Sequence, residues 1–240
     1  MYLLKQIVSV SSQFRKYAFL NGILWAVLLT GCNIKNGQDQ FRPFSEDFAA
    51  QYFLLFPDES PLETNNLRLN KMFIPTSENM DSASVFYQYF SRELNGFSSV
   101  YFSAADLKDY QKIKNILNGV QTLISEREIN PGLFNIRRSL IRILRTPYTR
   151  LPERLKTISE KLSLAPAFYE AAKNQVIRPD RVKSGQAIRS HIETYLFLDQ
   201  ELRDSLDLIP FPDPDFLSRI ERAKLSVKDY IGFCESAKLN

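Results

Sequence analysis

Histidine is nearly absent from this sequence, which contains one among its 240 residues. Hydrolytic zinc sites of the thermolysin kind need two imidazoles one helical turn apart, a third ligand and a nearby carboxylate base. A single imidazole cannot build such a site, so we expect no metal site and no cofactor on this chain. The sequence also lacks a phosphate-binding glycine loop, a nucleophile elbow and a Cys-x-x-Cys motif, so we assign no catalytic residue.

Cysteine and glycine are also scarce, with two cysteines and eight glycines in the whole chain. Two cysteines exclude a disulfide-rich scaffold. No segment alternates cleanly between apolar and polar residues as a half-buried strand would, and no repeat of constant period is present. Apolar residues instead recur at steps of three and four. The sequence therefore predicts an all-α, single-domain bundle of amphipathic helices.

The first thirty-one residues have the organisation of a bacterial lipoprotein signal peptide. Lys5, Arg15 and Lys16 make a basic start, and a nearly continuous apolar run follows over residues 17–29. The run is short for a membrane span, which needs roughly 20 apolar residues. Leu29-Thr30-Gly31-Cys32 comes next and resembles the lipobox, in which the cysteine is acylated and then becomes the first mature residue. The alternatives are an uncleaved N-terminal anchor and a secretory signal cut elsewhere.

The predicted organisation is a signal peptide over 1–31, a flexible tether over 32–43 and an all-α domain over 44–240. Lipid attached to Cys32 would make the membrane the first partner and place the protein in the bacterial cell envelope. Two or three acyl chains exceed the single chain that binds membranes only marginally, so the anchoring would be firm. A protein partner is a further expectation.

The basic character of the chain belongs mostly to the predicted signal peptide. Residues 1–31 contain three basic and no acidic residues, so the mature chain would hold 28 basic against 27 acidic ones. A net charge near +1 leaves no general electrostatic footprint for nucleic acid. We therefore expect no nucleic-acid partner.

Helix boundaries are marked by caps and prolines. Ser103 and Asp106 resemble a capping box, Pro166 suits a first helical turn, and Asp213-Pro214-Asp215 is a strong start signal. Together with the apolar spacing, these signals predict helices over residues 44–56, 81–94, 107–124, 133–144, 151–162, 167–176, 184–208 and 216–234. In the second of these helices we expect Val85, Phe86, Tyr89 and Phe90 on one side, which would be the inner one.

Few side chains are candidates for chemistry. The single imidazole, that of His191, lies two residues from the carboxylate of Glu193. Residues two apart on a helix point to different sides, so we favour a structural or surface histidine over a metal ligand. Cys234 falls in the apolar register of the last helix, which favours a buried, inert thiol. Four acidic residues are candidates for a substrate cleft that no spacing pairs: Glu46, Asp47, Asp58 and Glu59.

Two surface hypotheses concern a basic cluster and an aromatic cluster. The arginines would face anionic headgroups or an acidic partner, or else form a solvated face with ion pairs to Glu126, Glu128 or Glu153. The aromatics would be mostly core, with an excess near residues 97–102 as a docking surface. The members are Arg137, Arg138, Arg142, Arg145, Arg150 and Arg154, and Phe86, Tyr87, Tyr89, Phe90, Phe97, Tyr101 and Phe102.

Four segments resemble, in the same order, blocks of a bacterial family called domain of unknown function 885. They are Phe48–Ser60, Ala105–Tyr110, Asn130–Asn135 and the stretch from Arg150 through Lys173, and they extend over most of the predicted domain. The resemblance implies a large helical fold, often lipid-anchored, that looks like a zinc metallopeptidase. The family's His-Glu motif and second histidine lie in its C-terminal half and have no counterpart here.

Two hypotheses about function follow. The first is a non-catalytic, lipid-anchored envelope module that acts through binding or assembly. The second is the N-terminal half of a split or truncated zinc-metallopeptidase-like enzyme whose catalytic half is on another chain. In either case the peptidase activity is not carried over to any residue of this sequence.

Overall fold

The computed structural model describes residues 38–63, 68–208 and 213–239. These residues contain no β-strand and are mostly helical, so the predicted all-α fold class is confirmed. The helices are α1 Gln38–Leu55, α2 Ser77–Asn95, α3 Ala104–Glu126, α4 Arg137–Arg145, α5 Leu151–Leu162, α6 Ala165–Gln175, α7 Arg181–Leu196, α8 Leu202–Asp207 and α9 Phe216–Leu239. Short 3-10 turns lie at Pro57–Glu59, Ser99–Tyr101 and Pro131–Leu133, and a π-helical turn, Phe197–Glu201, joins α7 to α8.

The predicted start signals act as expected. Ser103 Oγ accepts a hydrogen bond from the Asp106 amide at 3.2 Å and donates one to the Asp106 carboxylate at 2.6 Å, which makes the capping box of α3. Before α9, the Asp213 carboxylate accepts from the Asp215 amide at 3.0 Å. Ser103 thereby satisfies an amide group that the first turn of α3 leaves without a backbone partner, and Asp213 stabilises the turn that leads into α9.

The first helix begins earlier than the sequence predicts. Helix α1 starts at Gln38, whereas residues 38–43 were expected to belong to a flexible tether. The reason is Phe41, which is buried with its ring centroid 5.4 Å from that of Phe97 and 4.5 Å from that of Phe102. The tether prediction is thus wrong for 38–43. The rest of the tether, the predicted signal peptide and Cys32 lie outside the described residues.

Helices α1, α2 and α3 form a front layer with an aromatic core. Phe48 at the middle of α1 meets Phe86 and Phe90 of α2, with ring centroids 5.4 Å and 5.1 Å away. The start of α1 lies beside the end of α2 and the start of α3, so α2 runs antiparallel to its two neighbours. The buried members of this core are Phe41, Phe48, Phe86, Phe90, Leu94, Phe97, Ile113 and Leu117.

Helices α4 to α9 form the back of the molecule. Helix α9 packs along α7 and also contacts α6 and α5. Its apolar register from Phe216 to Cys234 is buried, as the spacing predicts. Val120 and Leu123 of α3 connect the two parts, because Val120 belongs to a small intermediate cluster and Leu123 packs against both that cluster and the back core. The core is therefore continuous across the molecule.

One predicted helix face is only half right. The sequence placed Val85, Phe86, Tyr89 and Phe90 together on the inner side of α2, but Val85 and Tyr89 are exposed while Phe86 and Phe90 are buried. Neighbouring residues on an α-helix are about 100° apart around the helix axis. Two neighbouring pairs, at positions 85–86 and 89–90, therefore cannot all face one narrow core.

Among the described helices, none combines the length and the apolar character that crossing a membrane requires.

Candidate functional site

The front and back of the molecule meet at a polar centre built around Asp58, in the 3-10 turn after α1. One carboxylate oxygen accepts hydrogen bonds from Ser139 Oγ at 3.0 Å and from Lys161 Nζ at 2.6 Å. The other accepts from the Phe73 amide at 2.7 Å. Arg142 donates to the backbone carbonyl of Asp58. Asp58 thereby connects the turn, the 68–76 loop, α4 and α5.

Lys161 is the most deeply buried charged residue of this centre, with 1% of its surface exposed. Its ammonium group donates to Asp58 and also to the backbone carbonyl of Lys71. Burial lowers the pKa of Lys161, and the adjacent Asp58 carboxylate acts in the opposite direction. A buried ion is tolerated when it is paired and hydrogen-bonded, and Lys161 meets both conditions.

The four candidate acids do not form one cleft. Asp58 and Glu59 line a cavity of about 220 Å³ between the front and back cores. Glu46 and Asp47 lie on α1, where Glu46 pairs with Arg42 at 3.2 Å and Asp47 accepts from Gln51 at 2.9 Å, both at the surface. The cavity is apolar on most sides, and its wall includes Phe56, Met72, Phe73, Leu123, Leu133, Phe134 and Phe168.

His191 is a buried structural histidine. Its Nδ1 lies 2.8 Å from the Ala187 carbonyl oxygen and its Nε2 lies 2.9 Å from the Phe134 carbonyl oxygen. The ring packs against Tyr169 and Tyr230, with centroids 5.7 Å and 4.9 Å away. Burial lowers the pKa of His191, while the two carbonyls oppose this shift.

The His191 contacts belong to a set that holds the 130–136 segment against α7 and α9. Tyr230 donates to the Pro131 carbonyl at 3.1 Å. Asn135 donates to Ser190 Oγ at 2.9 Å and accepts from Thr194 at 2.9 Å. Beyond the backbone hydrogen bonds of its 3-10 turn, these side chains supply the further polar partners that a buried loop needs.

The pKa direction of His191 predicts that stability decreases as the pH is lowered. The unfolded imidazole titrates near pH 6.5 and the folded one titrates lower, so between these values the unfolded chain binds a proton that the folded chain does not. The contribution of His191 to the free energy of unfolding should therefore be constant above pH 7 and decrease below about pH 6.5. Urea unfolding of the wild type and of His191→Gln at pH 7.5 and 5.5 measures this difference.

The single histidine makes that measurement unambiguous, because the chain has one imidazole resonance to follow by NMR. Subtracting the His191→Gln data removes the contribution of carboxylates that titrate in the same range. A wild type that gains stability relative to the variant at pH 5.5 would show instead that the two carbonyls retain the imidazolium, and the predicted direction would be wrong.

Cys234 is fully buried in α9, and burial raises the pKa of its thiol to about 12. A nucleophilic cysteine needs a thiolate and a base beside it. The structure thus agrees with an inert core thiol, as its position in the apolar register predicts.

The arginines of the predicted basic cluster pair with several different acidic residues and backbone carbonyls. Arg145 makes a bidentate pair with Glu201 at 2.9–3.0 Å, Arg137 pairs with Glu193 at 3.0 Å, and Arg150 pairs with Glu153. Of the three predicted partners, only Glu153 is correct, because Glu126 pairs with Lys183 and Glu128 with Arg178. Arg142 and Arg154 donate to backbone carbonyls of Asp58 and Leu144. Arg138 is largely exposed, 4.0 Å from Glu59.

Two of the rings near residue 100 belong to the core and not to a docking surface. Phe97 is buried, and Phe102 lies against Phe41 and Tyr110, so both complete the front core. Val100, between them, is a large apolar side chain that is exposed.

Within the described residues, no group of three or more His, Cys, Asp or Glu side chains is arranged to hold a metal ion.

Lys161 is the residue that sequence reasoning missed. The available signal is its spacing within α5, since it lies three residues after Ile158, which is buried. A lysine in the apolar register of a helix indicates either a buried ion pair or an error in the assigned face.

The sequence matches no protein-family model. It also matches no curated protein sequence. Among solved structures, a protein of unknown function from Shewanella oneidensis, described as a lipoprotein, shares the fold with a TM-score of 0.68 and 17% sequence identity. The match covers 83% of this chain and 38% of that chain, so this chain spans well under half the length of its structural neighbour. At this identity the similarity shows the fold alone.

Proposed function

We propose that this protein is a lipid-anchored module of the bacterial cell envelope that acts through binding or assembly. The observation that carries the proposal is the order of its parts, in which a basic start, a short apolar run and Leu29-Thr30-Gly31-Cys32 directly precede a helical body. The description of the structural neighbour as a lipoprotein supports the same conclusion. The lipid on Cys32 would hold the helical body at an extracytoplasmic membrane surface.

Metabolic labelling with a fatty-acid probe tests this proposal. We expect label on the wild-type protein and none on Cys32→Ala, because the thiol is the acceptor of the lipid. Cys234→Ala is the matched control and should label like the wild type, since its thiol is buried. Equal labelling of wild type and Cys32→Ala would overturn the proposal, as would a mature protein that retains Trp25.

A second candidate function is that of the N-terminal part of a zinc-metallopeptidase-like assembly, related to the domain of unknown function 885 family. The observation that favours it is that the fold occurs in the Shewanella oneidensis protein as part of a longer chain. The catalytic part would then be a separate polypeptide. The Asp58–Glu59 cavity, at the junction of two cores, is the place where such a partner would meet a substrate group.

Zinc analysis separates these candidates. The purified chain alone should contain no stoichiometric zinc under either of them. Zinc that appears in stoichiometric amount with a second polypeptide, together with peptidase activity, would favour the split enzyme. Tight stoichiometric zinc on this chain alone would contradict both.

A further inference from the structure

The N-terminal end of α1 lies at one end of the front layer. Phe41, in the first turn of α1, contacts Phe97 and Phe102 and lies 6.3 Å from Tyr110 between ring centroids. The start of α1, the 96–103 connection and the start of α3 therefore lie side by side. We call this the entry end.

The length of the chain ahead of α1 limits how far the entry end can be from an attached lipid. Residues 33–37 separate Cys32 from Gln38, the first residue of α1. Fully extended, this connection spans at most roughly 20 Å, at about 3.5 Å per residue. If Cys32 carries acyl chains in the bilayer, as the proposed function requires, the entry end stays within that distance of the membrane surface.

The surface of the entry end suits contact with lipid. Val100 is 84% exposed at the tip of the 3-10 turn, and Leu107 on the first turn of α3 is also exposed. No charged residue occurs from position 94 to position 105. Moving this stretch, with Val100 at its centre, to the headgroup level would therefore desolvate no ion of its own, and desolvating an ion is the largest cost of burying protein surface.

We propose that the entry end docks on the bilayer interface, with Val100 inserted among the headgroups and α3 pointing its far end away from the membrane. This inference rests on the proposed lipid attachment and adds an orientation to it. Other exposed apolar side chains, such as Val182 and Leu225, have no comparable constraint that holds them near lipid. The charged residues around the uncharged stretch are mixed in sign: Arg42, Arg92 and Lys108 are basic, and Asp39, Glu93 and Asp106 are acidic. We therefore expect the docking to be apolar and independent of anionic lipid.

Tryptophan fluorescence tests the orientation, because the chain has one tryptophan, Trp25, in the predicted signal peptide. The test variant is Val100→Trp, expressed from a precursor that also carries Trp25→Phe so that uncleaved precursor adds no second indole. The protein is purified with its lipid and placed in phosphatidylcholine vesicles. The matched control is Val182→Trp, at a site 69% exposed. Lys183 beside it pairs with Glu126 at the end of α3, about 35 Å from the entry end for a helix of 23 residues.

We expect a blue-shifted emission and strong quenching by brominated phosphatidylcholine for Val100→Trp, and neither for Val182→Trp. The result should not change when salt is raised, because screening weakens only electrostatic contacts. Equal quenching at both positions, or quenching that requires anionic lipid, would overturn the orientation. A blue shift without quenching by brominated lipid would place the indole against protein, such as a second copy of this chain, and would overturn the orientation as well.

Mass spectrometry of the same samples separates failure of the inference from failure of the proposed function. A protein without acyl chains on Cys32 would refute the lipid attachment and the inference together. An acylated protein whose Val100→Trp emission matches that of Val182→Trp would refute the docking alone.

Discussion

Asp58→Ala is expected to destabilise the fold by about 3–5 kcal/mol, the usual cost of removing one member of a buried ion pair. The loss is large because Lys161 would keep its buried position without a counter-ion, and the Phe73 amide and Ser139 hydroxyl would lose their acceptor. Urea unfolding followed by circular dichroism measures the change.

Two further variants identify the cause of that loss. Glu46→Ala removes the exposed pair with Arg42 and should cost at most about 0.5 kcal/mol, as surface pairs do. The double variant Asp58→Ala/Lys161→Met should be more stable than Asp58→Ala, because an apolar side chain does not need a counter-ion. If the double variant is no better than the single one, the lost partners of Phe73 and Ser139, and not the unpaired ammonium, explain the effect.

The expected loss at Asp58 also bears on function. An acid whose oxygens all accept hydrogen bonds within the fold is poorly placed to act as a base. Glu59, the next residue, shares the cavity and has Arg138 as its distant partner at 4.0 Å. Of the acids that the sequence offered for a cleft, Glu59 is therefore the one with a carboxylate available to a ligand.

Local signals in the sequence predicted local structure well. The capping box at Ser103, the proline in the first turn of α6 and the Asp213-Pro214-Asp215 start each depend on neighbours within a few residues. Apolar spacing likewise predicted the buried face of α9. Such features are readable because the interacting groups are close in sequence.

The polar centres were not predictable in the same way, since their partners are far apart in the chain. Lys161 and Asp58 are separated by 103 positions, and His191 and Phe134 by 57. Nothing in the spacing of either residue specifies the other. The early start of α1 has the same origin, because Phe41 is helical through contacts with rings beyond α2 and not through its polar neighbours.

Phe90→Ala should also destabilise the protein strongly, by about 3–5 kcal/mol, the range for deleting a buried phenylalanine ring. Phe90 is fully buried, and its ring centroid lies 5.8 Å from Phe44, 5.1 Å from Phe48 and 4.7 Å from Phe86. Removing it leaves a cavity among side chains of two helices, which can only partly collapse. Thermal and urea unfolding of purified protein measure the loss.

Tyr89→Ala is the matched control, because it deletes a ring of similar size from the adjacent position of the same helix. Tyr89 is 45% exposed, with one edge-to-face contact to Phe90, so we expect a loss of about 1 kcal/mol or less. The sequence placed both rings on the inner face of α2, and the structure places only Phe90 there. Equal losses at the two positions would contradict the helix face described here, whereas a several-fold difference would show that the inner face of α2 carries the front core through Phe86 and Phe90.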